Sequence, residues 1–360
     1  MRELYSLVPG IYIHLPFCTT HCVYCPFAIS TNMTLQEEYV AALLREIGEG
    51  RTVDTLYFGG GTPSRTSIEH LAMLASRFSV QGELTLEANP EDVNAESVAA
   101  WRDIGVNRLS IGVQAFNDSE LRAIGRVHDA TQARNAVELA VQAGLRVSLD
   151  LILGLPQQTP ERFRDSLQQA IDLGVGHLSL YMLDLDEKTP LQVQVARGRT
   201  TVPEDDQVAN LYIEAVERLD RASLHQYEIS NFARPGEESR HNLRYWRREP
   251  YLGFGLGAHS FVDERRFANT RDIHRYIADP LAEDFSETLS DEERRHEFLF
   301  LRLRQSSGID YRELVELCGQ EAVEWTERGL REGWLRRLDS RVAFTPAGFL
   351  LSNDYISQLF

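Results

Sequence analysis

Between Ile11 and Leu183 the chain alternates short β-rich runs with stretches of 3.6-residue apolar periodicity, and this alternation constrains the fold more than any other feature. The β-rich runs are 11–14, 55–58, 83–87, 108–112, 147–153 and 177–183, and helical periodicity fills 35–47, 68–76, 131–141 and 160–173. Strands separated by helices pair in parallel, because each connection must cross over to the next strand's start. Six such units predict a parallel sheet covered by helices, short of the eight of a full barrel. Polar or glycine-rich signals close several of the strands: Gly59-Gly-Gly-Thr-Pro-Ser64, Glu87-Ala-Asn-Pro90, Gly112-Val-Gln114 and the strand-borne Asp150. Such sheets build their sites at the carboxyl ends of their strands, so these positions are predicted to face one mouth.

After Thr189 the pattern loosens into a helix around 209–219, a glycine- and aromatic-rich stretch over 227–261, and a soft boundary at 279–290. Ser290 and Glu293 read as a capping box. The tail reads as two or three helices and a hairpin over 334–344 that turns at Asp339-Ser-Arg. The expected division is a partial barrel over 1–190, an α/β extension over 191–280, and a smaller winged-helix-like α+β domain over 281–360. The formal charge of −17, with no basic stripe, makes the tail a packing or docking element and excludes a nucleic-acid partner. The opening ten residues lack the apolar core and cleavage site of an export signal, and no apolar run approaches the roughly eighteen residues that span a bilayer. A cytoplasmic location without stable membrane insertion is therefore expected.

Three of the four cysteines, Cys18, Cys22 and Cys25, share one short CxxxCxxC loop. A chain of 360 residues, 43% hydrophobic, can bury a core without disulfides, and clustered thiols fit a reducing compartment. Thiolates so spaced can grip a four-iron cube at three corners and leave one iron open. The competing interpretation is a structural zinc with His14 or His21 as fourth ligand. Cys318 stands alone and reads as a core thiol.

Gly59 to Gly61 would let the backbone approach a ligand closely; no Gly-Lys-Ser/Thr follows, so this is not a P-loop, and a plain tight turn is the alternative. Glu87, Gln114, Arg126 and Asp150 lie on or just beyond strand ends. A ligand with an amino-acid head and a ribose needs carboxylates for its ammonium and hydroxyls and a guanidinium for its carboxylate, against the alternative of a solvated rim. In His241-Asn-Leu-Arg-Tyr-Trp246, read as a loop or turn, a histidine joins Tyr245, Trp246 and the arginines 240, 244, 247 and 248. Haem needs an axial imidazole, flat apolar walls and cations for its propionates, although a hydrogen-bonded structural histidine uses the same residues. His259, in the glycine-spaced run Tyr251 to Ser260, is the second candidate ligand.

The cysteine loop with Tyr24 resembles the radical S-adenosylmethionine (SAM) superfamily. Ile11-Tyr-Ile-His-Leu-Pro-Phe-Cys18, Gly59 to Ser64, Glu87 to Pro90, Asn107 to Gln114, Gly125-Arg-Val-His128, Asp150 to Pro156 and Glu228-Ile-Ser-Asn231 together resemble the oxygen-independent coproporphyrinogen oxidase group and its sister group of haem chaperones. The resemblance implies a radical-SAM partial (β/α)6 barrel in which the three cysteines bind a [4Fe-4S] cluster and SAM chelates the open iron. It places Tyr12 and Tyr24 beside cluster and SAM and Gly60, Gly61 and Thr62 at the methionine end, while Glu87, Gln114, Arg126 and Asp150 complete the pocket. Reductive cleavage of SAM's sulfonium is the chemistry implied. The oxidases carry a further cysteine two residues after the third and a longer N-terminal arm, whereas this chain has Phe27 there and seventeen residues before Cys18. The chaperones carry CxxxCxxCxF and an HNxxYW segment associated with haem, which His241, Tyr245 and Trp246 match. Pro26 and the acidic run Met182-Leu-Asp-Leu-Asp186 depart from the family's usual form. The expected function is thus binding of haem and its transfer to acceptor haem proteins such as respiratory enzymes, with no catalytic residue assigned and a cluster-dependent dimer. Decarboxylation of coproporphyrinogen III is the alternative.

Overall fold

Ile11, Ile13 and Leu15 are fully buried on one side of the first strand while Tyr12 and His14 point to the other, the period-2 alternation of a strand with two different faces. The same parity runs through the computed structural model, which describes residues 10–185 and 189–360. Strands β1 (Gly10–Leu15), β2 (Arg51–Gly60), β3 (Phe78–Ala88), β4 (Arg108–Gln114), β5 (Arg146–Leu153) and β6 (His177–Met182) lie side by side in chain order, all parallel. Leu56, Phe58, Leu86, Leu109, Ile111, Leu149 and Leu178 continue the apolar face, and helices Gln36–Ile47, Ile68–Ala75, Ala130–Gln142 and Pro160–Asp172 cover it. Each such side chain removed from water stabilises the fold by roughly 1.5–3 kcal/mol. The other face is polar, carrying Tyr57, Glu87, Ser110, Asp150 and Ser179.

The sheet is open and grows at both edges to twelve strands. Beyond β6 lie β7 (His225–Gln226) and β8 (Asn231–Ala233), both antiparallel additions. Beyond β1, β9 (Tyr251–Phe254) pairs in parallel, followed by the antiparallel strands β10 (His259–Val262), β11 (Arg265–Asn269) and β12 (Glu283–Thr288). The 279–290 segment, expected as a boundary, therefore contains the sheet's outermost strand. A β-carbon on Gly253 would sit 2.2 Å from the His259 carbonyl oxygen, so β9 and β10 close together only around glycine. Buried Glu46 ties these strands to the first helix, accepting from the Gly255 N–H at 2.8 Å, the Asn269 amide at 2.8 Å and the Tyr276 hydroxyl at 2.5 Å.

A second core gathers Leu299, Leu303, Trp325, Val342, Phe344 and Tyr355 around a three-stranded sheet of Ile309–Asp310, Arg341–Phe344 and Leu335–Leu338. Ser290 and Glu293 form the capping box read from the sequence, and the hairpin turns where Asp339 takes a left-handed φ of 52°. Cys318 is only half-buried, at the margin of this core rather than inside it. It precedes Gly319, whose φ of 63° kinks the helix Tyr311–Arg331. Helix Ala95–Asp103 was not legible as periodicity, its nine residues containing only two buried side chains. Among the described residues no helix is long and apolar enough to cross a membrane. The export-signal reading and Asp186 of the acidic run fall outside the described residues, apart from Gly10.

Candidate functional site

A cavity of about 430 Å³ opens at the carboxyl ends of β2 to β6. Cys18, Cys22, Cys25, Tyr24, Gly60, Gly61, Thr62, Glu87, Gln114, Arg126 and Asp150 all line it, so eleven of the residues singled out above meet in one place. Each arrives there by a local device. Past the end of β1 the chain keeps a strand-like exchange with the glycine turn: Gly61 N–H donates to Leu15 O at 2.9 Å and Thr62 N–H to Phe17 O at 2.9 Å. That exchange carries Cys18 to the cavity, where the Thr62 hydroxyl donates to its sulfur at 3.3 Å. The loop between the cysteines is pinned by Val23, whose N–H reaches Ile124 O at 3.4 Å and whose carbonyl accepts from Leu191 N–H at 2.9 Å.

Glu87 braces the glycine turn, accepting from the Tyr57 hydroxyl at 2.8 Å and the Gly60 N–H at 3.0 Å. Burial raises its carboxyl above the usual range, and those two bonds oppose the rise. Arg126 donates to Asn89 Oδ1 at 2.7 Å and to Gly112 O at 2.6 Å, and lies 3.8 Å from the Cys22 sulfur. Gln114 ends β4 at a register shift and holds a left-handed φ of 68°. For a non-glycine residue such backbone costs about 1–3 kcal/mol and aims the side chain where regular strand would not. Burial pushes Asp150 up to about 7, against the Ser179 and Ser110 hydroxyls that donate to it, with the Glu87 charge adding to the rise. Ser110 and Tyr181 line the cavity too and were not anticipated. Both share the polar parity of their strands with Asp150, the signal that would have found them.

The donors fit the group the sequence implies. Cys18, Cys22 and Cys25 line one cavity, which brings together the three thiols that such a cluster takes as ligands. Burial pushes the Cys18 thiol up to about 11 and raises Cys25. Iron bound there would reverse this, because ligation deprotonates a thiol outright. Gly61 supplies a cradle, since an added β-carbon would lie 2.6 Å from both the carbonyl carbon and oxygen of Pro16 and 3.0 Å from the Cys18 sulfur.

Four expected residues lie elsewhere. Tyr12 does not line this cavity; it faces a second one of about 680 Å³, and its hydroxyl meets His14 Nδ1 at 3.1 Å. The His241 segment is a helix, Arg240–Trp246, rather than a loop. His241 itself is 1% exposed, with Nδ1 on the Thr55 hydroxyl at 2.8 Å and Nε2 on the Tyr245 hydroxyl at 2.8 Å, and its ring stacks on Tyr57 at 5.1 Å. An imidazole engaged at both nitrogens takes an iron only by giving up one of those bonds. Trp246 lines neither cavity, and its carbonyl accepts from Gln305 at 2.8 Å to hold the second core. Tyr245 reaches the second cavity. Three of the four arginines expected for propionates are taken up as well: Arg240 and Arg244 pair with Asp54, Arg244 also with Glu249 at 2.7 Å, and Arg248 with Glu264 and Glu297.

Burial pushes the His241 imidazole down to about 3, with Arg244 adding to the fall. The unfolded chain then takes up a proton below about pH 6.5 that the native chain refuses. The contribution of His241 to stability is complete above that pH and is lost as pH falls toward 3. Urea titrations should show the stability gap between wild type and His241→Gln narrowing from pH 7.5 to pH 5, and a gap independent of pH would contradict this.

A parallel α/β half-barrel with three thiols and a glycine turn at the strand ends defines a radical-SAM scaffold. Residues 12–170 match the model of the Radical SAM superfamily, and residues 289–351 that of the HemN C-terminal domain. Over 367 residues the chain is 36% identical to the heme chaperone HemW of Bacillus subtilis, covering 95% of this chain and 97% of that one. The heme chaperone HemW of Escherichia coli is 31% identical, with 96% and 97% covered. Radical S-adenosyl methionine domain-containing protein 1, mitochondrial, of Mus musculus is 39% identical over 77% of this chain and 66% of its own. The solved structure of Escherichia coli coproporphyrinogen III oxidase (HemN) superposes with a TM-score of 0.82 at 22% identity, covering 97% of this chain and 89% of that one, a likeness of fold. The chain belongs to the HemW family of the radical SAM superfamily. That membership brings a [4Fe-4S] cluster and SAM.

Proposed function

We propose that this protein is a haem chaperone, which binds haem beside a cluster and SAM pocket and passes it to acceptor haem proteins. Cys18, Cys22 and Cys25 hold the cluster. Gly60, Gly61 and Thr62 receive the methionine end of SAM, Arg126 its carboxylate, and Glu87, Gln114 and Asp150 its ammonium and ribose hydroxyls, while Tyr24 walls the cavity. When bound, the cluster supplies an electron to SAM's sulfonium; the chain orients the pair and keeps them from bulk water. The observation that carries the choice of chaperone over oxidase is Phe27. It stands where the oxidases carry a further cysteine, and it is 63% exposed, offering a flat apolar surface just beyond the cluster loop. Respiratory enzymes as acceptors, a cytoplasmic location and a cluster-dependent dimer complete the reading.

Anaerobically reconstituted protein should take up haemin with a titratable Soret band and should leave coproporphyrinogen III unconverted in the presence of SAM and a strong reductant. Multiple-turnover decarboxylation would replace this reading with the oxidase.

A further inference from the structure

The second cavity, about 680 Å³, lies where the cysteine loop meets the added strands β9 to β12, a size within the roughly 300–1,000 Å³ of ligand sites. His259, Ala268 and Phe285 stand in register across β10, β11 and β12. The small Ala268 makes a floor between the two rings, whose centroids are 6.4 Å apart. Phe285 is 39% exposed, Phe27 rises from the cysteine loop, and Tyr245 packs edge-on against Tyr251 at 4.6 Å to form the remaining wall. Three histidines lie at or behind this groove. His14 is engaged at both nitrogens, by Tyr12 and by Ala28 O at 2.8 Å, and so is His241. His259 is exposed, and among the described residues neither of its ring nitrogens has a hydrogen-bond partner. Arg271 on the same rim is exposed and has no carboxylate partner among the described residues. The one carboxylate there, Asp284, is occupied by Arg275 at 2.7 Å and by the Arg271 backbone N–H at 2.9 Å.

We propose that haem docks in this groove, with the His259 imidazole as axial ligand, Phe27 and Phe285 against the macrocycle, and Arg271 on a propionate. This rests on the chaperone reading and gives it a site other than the His241 helix. An uncommitted imidazole, apolar ring faces and an unpaired guanidinium are what an iron porphyrin dicarboxylate asks of a protein. Pro26 and Phe27 line both cavities, so the haem would lie across one turn of chain from the cluster.

Haemin titrations of the full-length protein, with resonance Raman spectra of the ferrous complex, test the assignment. Wild type should give an iron–histidine stretching band. His259→Ala should lose that band and bind about tenfold or more weakly, and added imidazole should restore it. Arg271→Glu should weaken binding about tenfold with the band intact, and His241→Gln should keep the band. A His259→Ala protein with unchanged band and affinity, or loss of the band in His241→Gln alone, would overturn the groove while leaving the chaperone reading in place. A wild type that takes up no haem would overturn both.

Discussion

Gly61→Ala is expected to leave a folded protein with little or no iron–sulfur cluster. The added methyl would meet Pro16 backbone at 2.6 Å and the Cys18 sulfur at 3.0 Å. Backbone cannot rotate away as a side-chain tip can, and the two strands that collide are the two clamped by the Gly61-to-Leu15 and Thr62-to-Phe17 hydrogen bonds. Relief therefore requires the cysteine loop to move as a unit, which takes Cys18 off its corner, and a displacement of about an ångström is what site geometry does not tolerate. After anaerobic reconstitution, iron and sulfide per chain should fall to the level of Cys18→Ser, while far-ultraviolet circular dichroism stays at the wild-type value. Wild-type iron content in Gly61→Ala would refute the cradle.

Trp325→Ala is expected to do the opposite, lowering stability by about 3–5 kcal/mol with cluster content unchanged in the cold. Trp325 is 5% exposed and stacks on Tyr355 at 4.7 Å. The pair also exchanges hydrogen bonds, the indole N–H donating to Tyr355 O at 2.7 Å and the Tyr355 hydroxyl to Trp325 O at 2.5 Å. Truncation opens a cavity and leaves the Tyr355 carbonyl without its donor, and the two costs act together. None of the second core's residues lines the cluster cavity. Chemical unfolding followed by tryptophan-independent circular dichroism measures the loss, and a change below about 1 kcal/mol would mean that the core closes around the gap.

What the sequence disclosed follows from the range over which each signal acts. The six parallel strands were legible because their apolar parity is local, and the cluster cavity because strand ends in such a sheet converge whatever the details of packing. Tyr12 stands in register with Tyr57 on the polar face of the sheet yet lines the second cavity, and nothing local to Tyr12 announces that β9, some 240 residues later, pairs with β1 and helps to build that cavity. The strands β9 to β12 were missed for the same reason, their partners being distant in the chain and their glycines reading as loop. His241 illustrates a different limit. Its neighbours Tyr245 and the arginines are those of a haem ligand, and only the tertiary partners Thr55, Tyr57 and Asp54 reveal that they are committed to holding one another. The glycines that surround His259 in sequence give no sign of a ligand, although they deliver it to the surface.

The two-faced strands of the barrel carry an implication for how such a scaffold diversifies. Because Leu56, Phe58, Leu86 and Ile111 are turned toward the helices while Tyr57, Glu87, Ser110 and Asp150 are turned toward the cavity, neighbouring codons answer to separate selective demands. Ligand preference can drift at alternate positions while the framework stays put. A lineage can then exchange catalysis for carriage without ever passing through an unfolded ancestor.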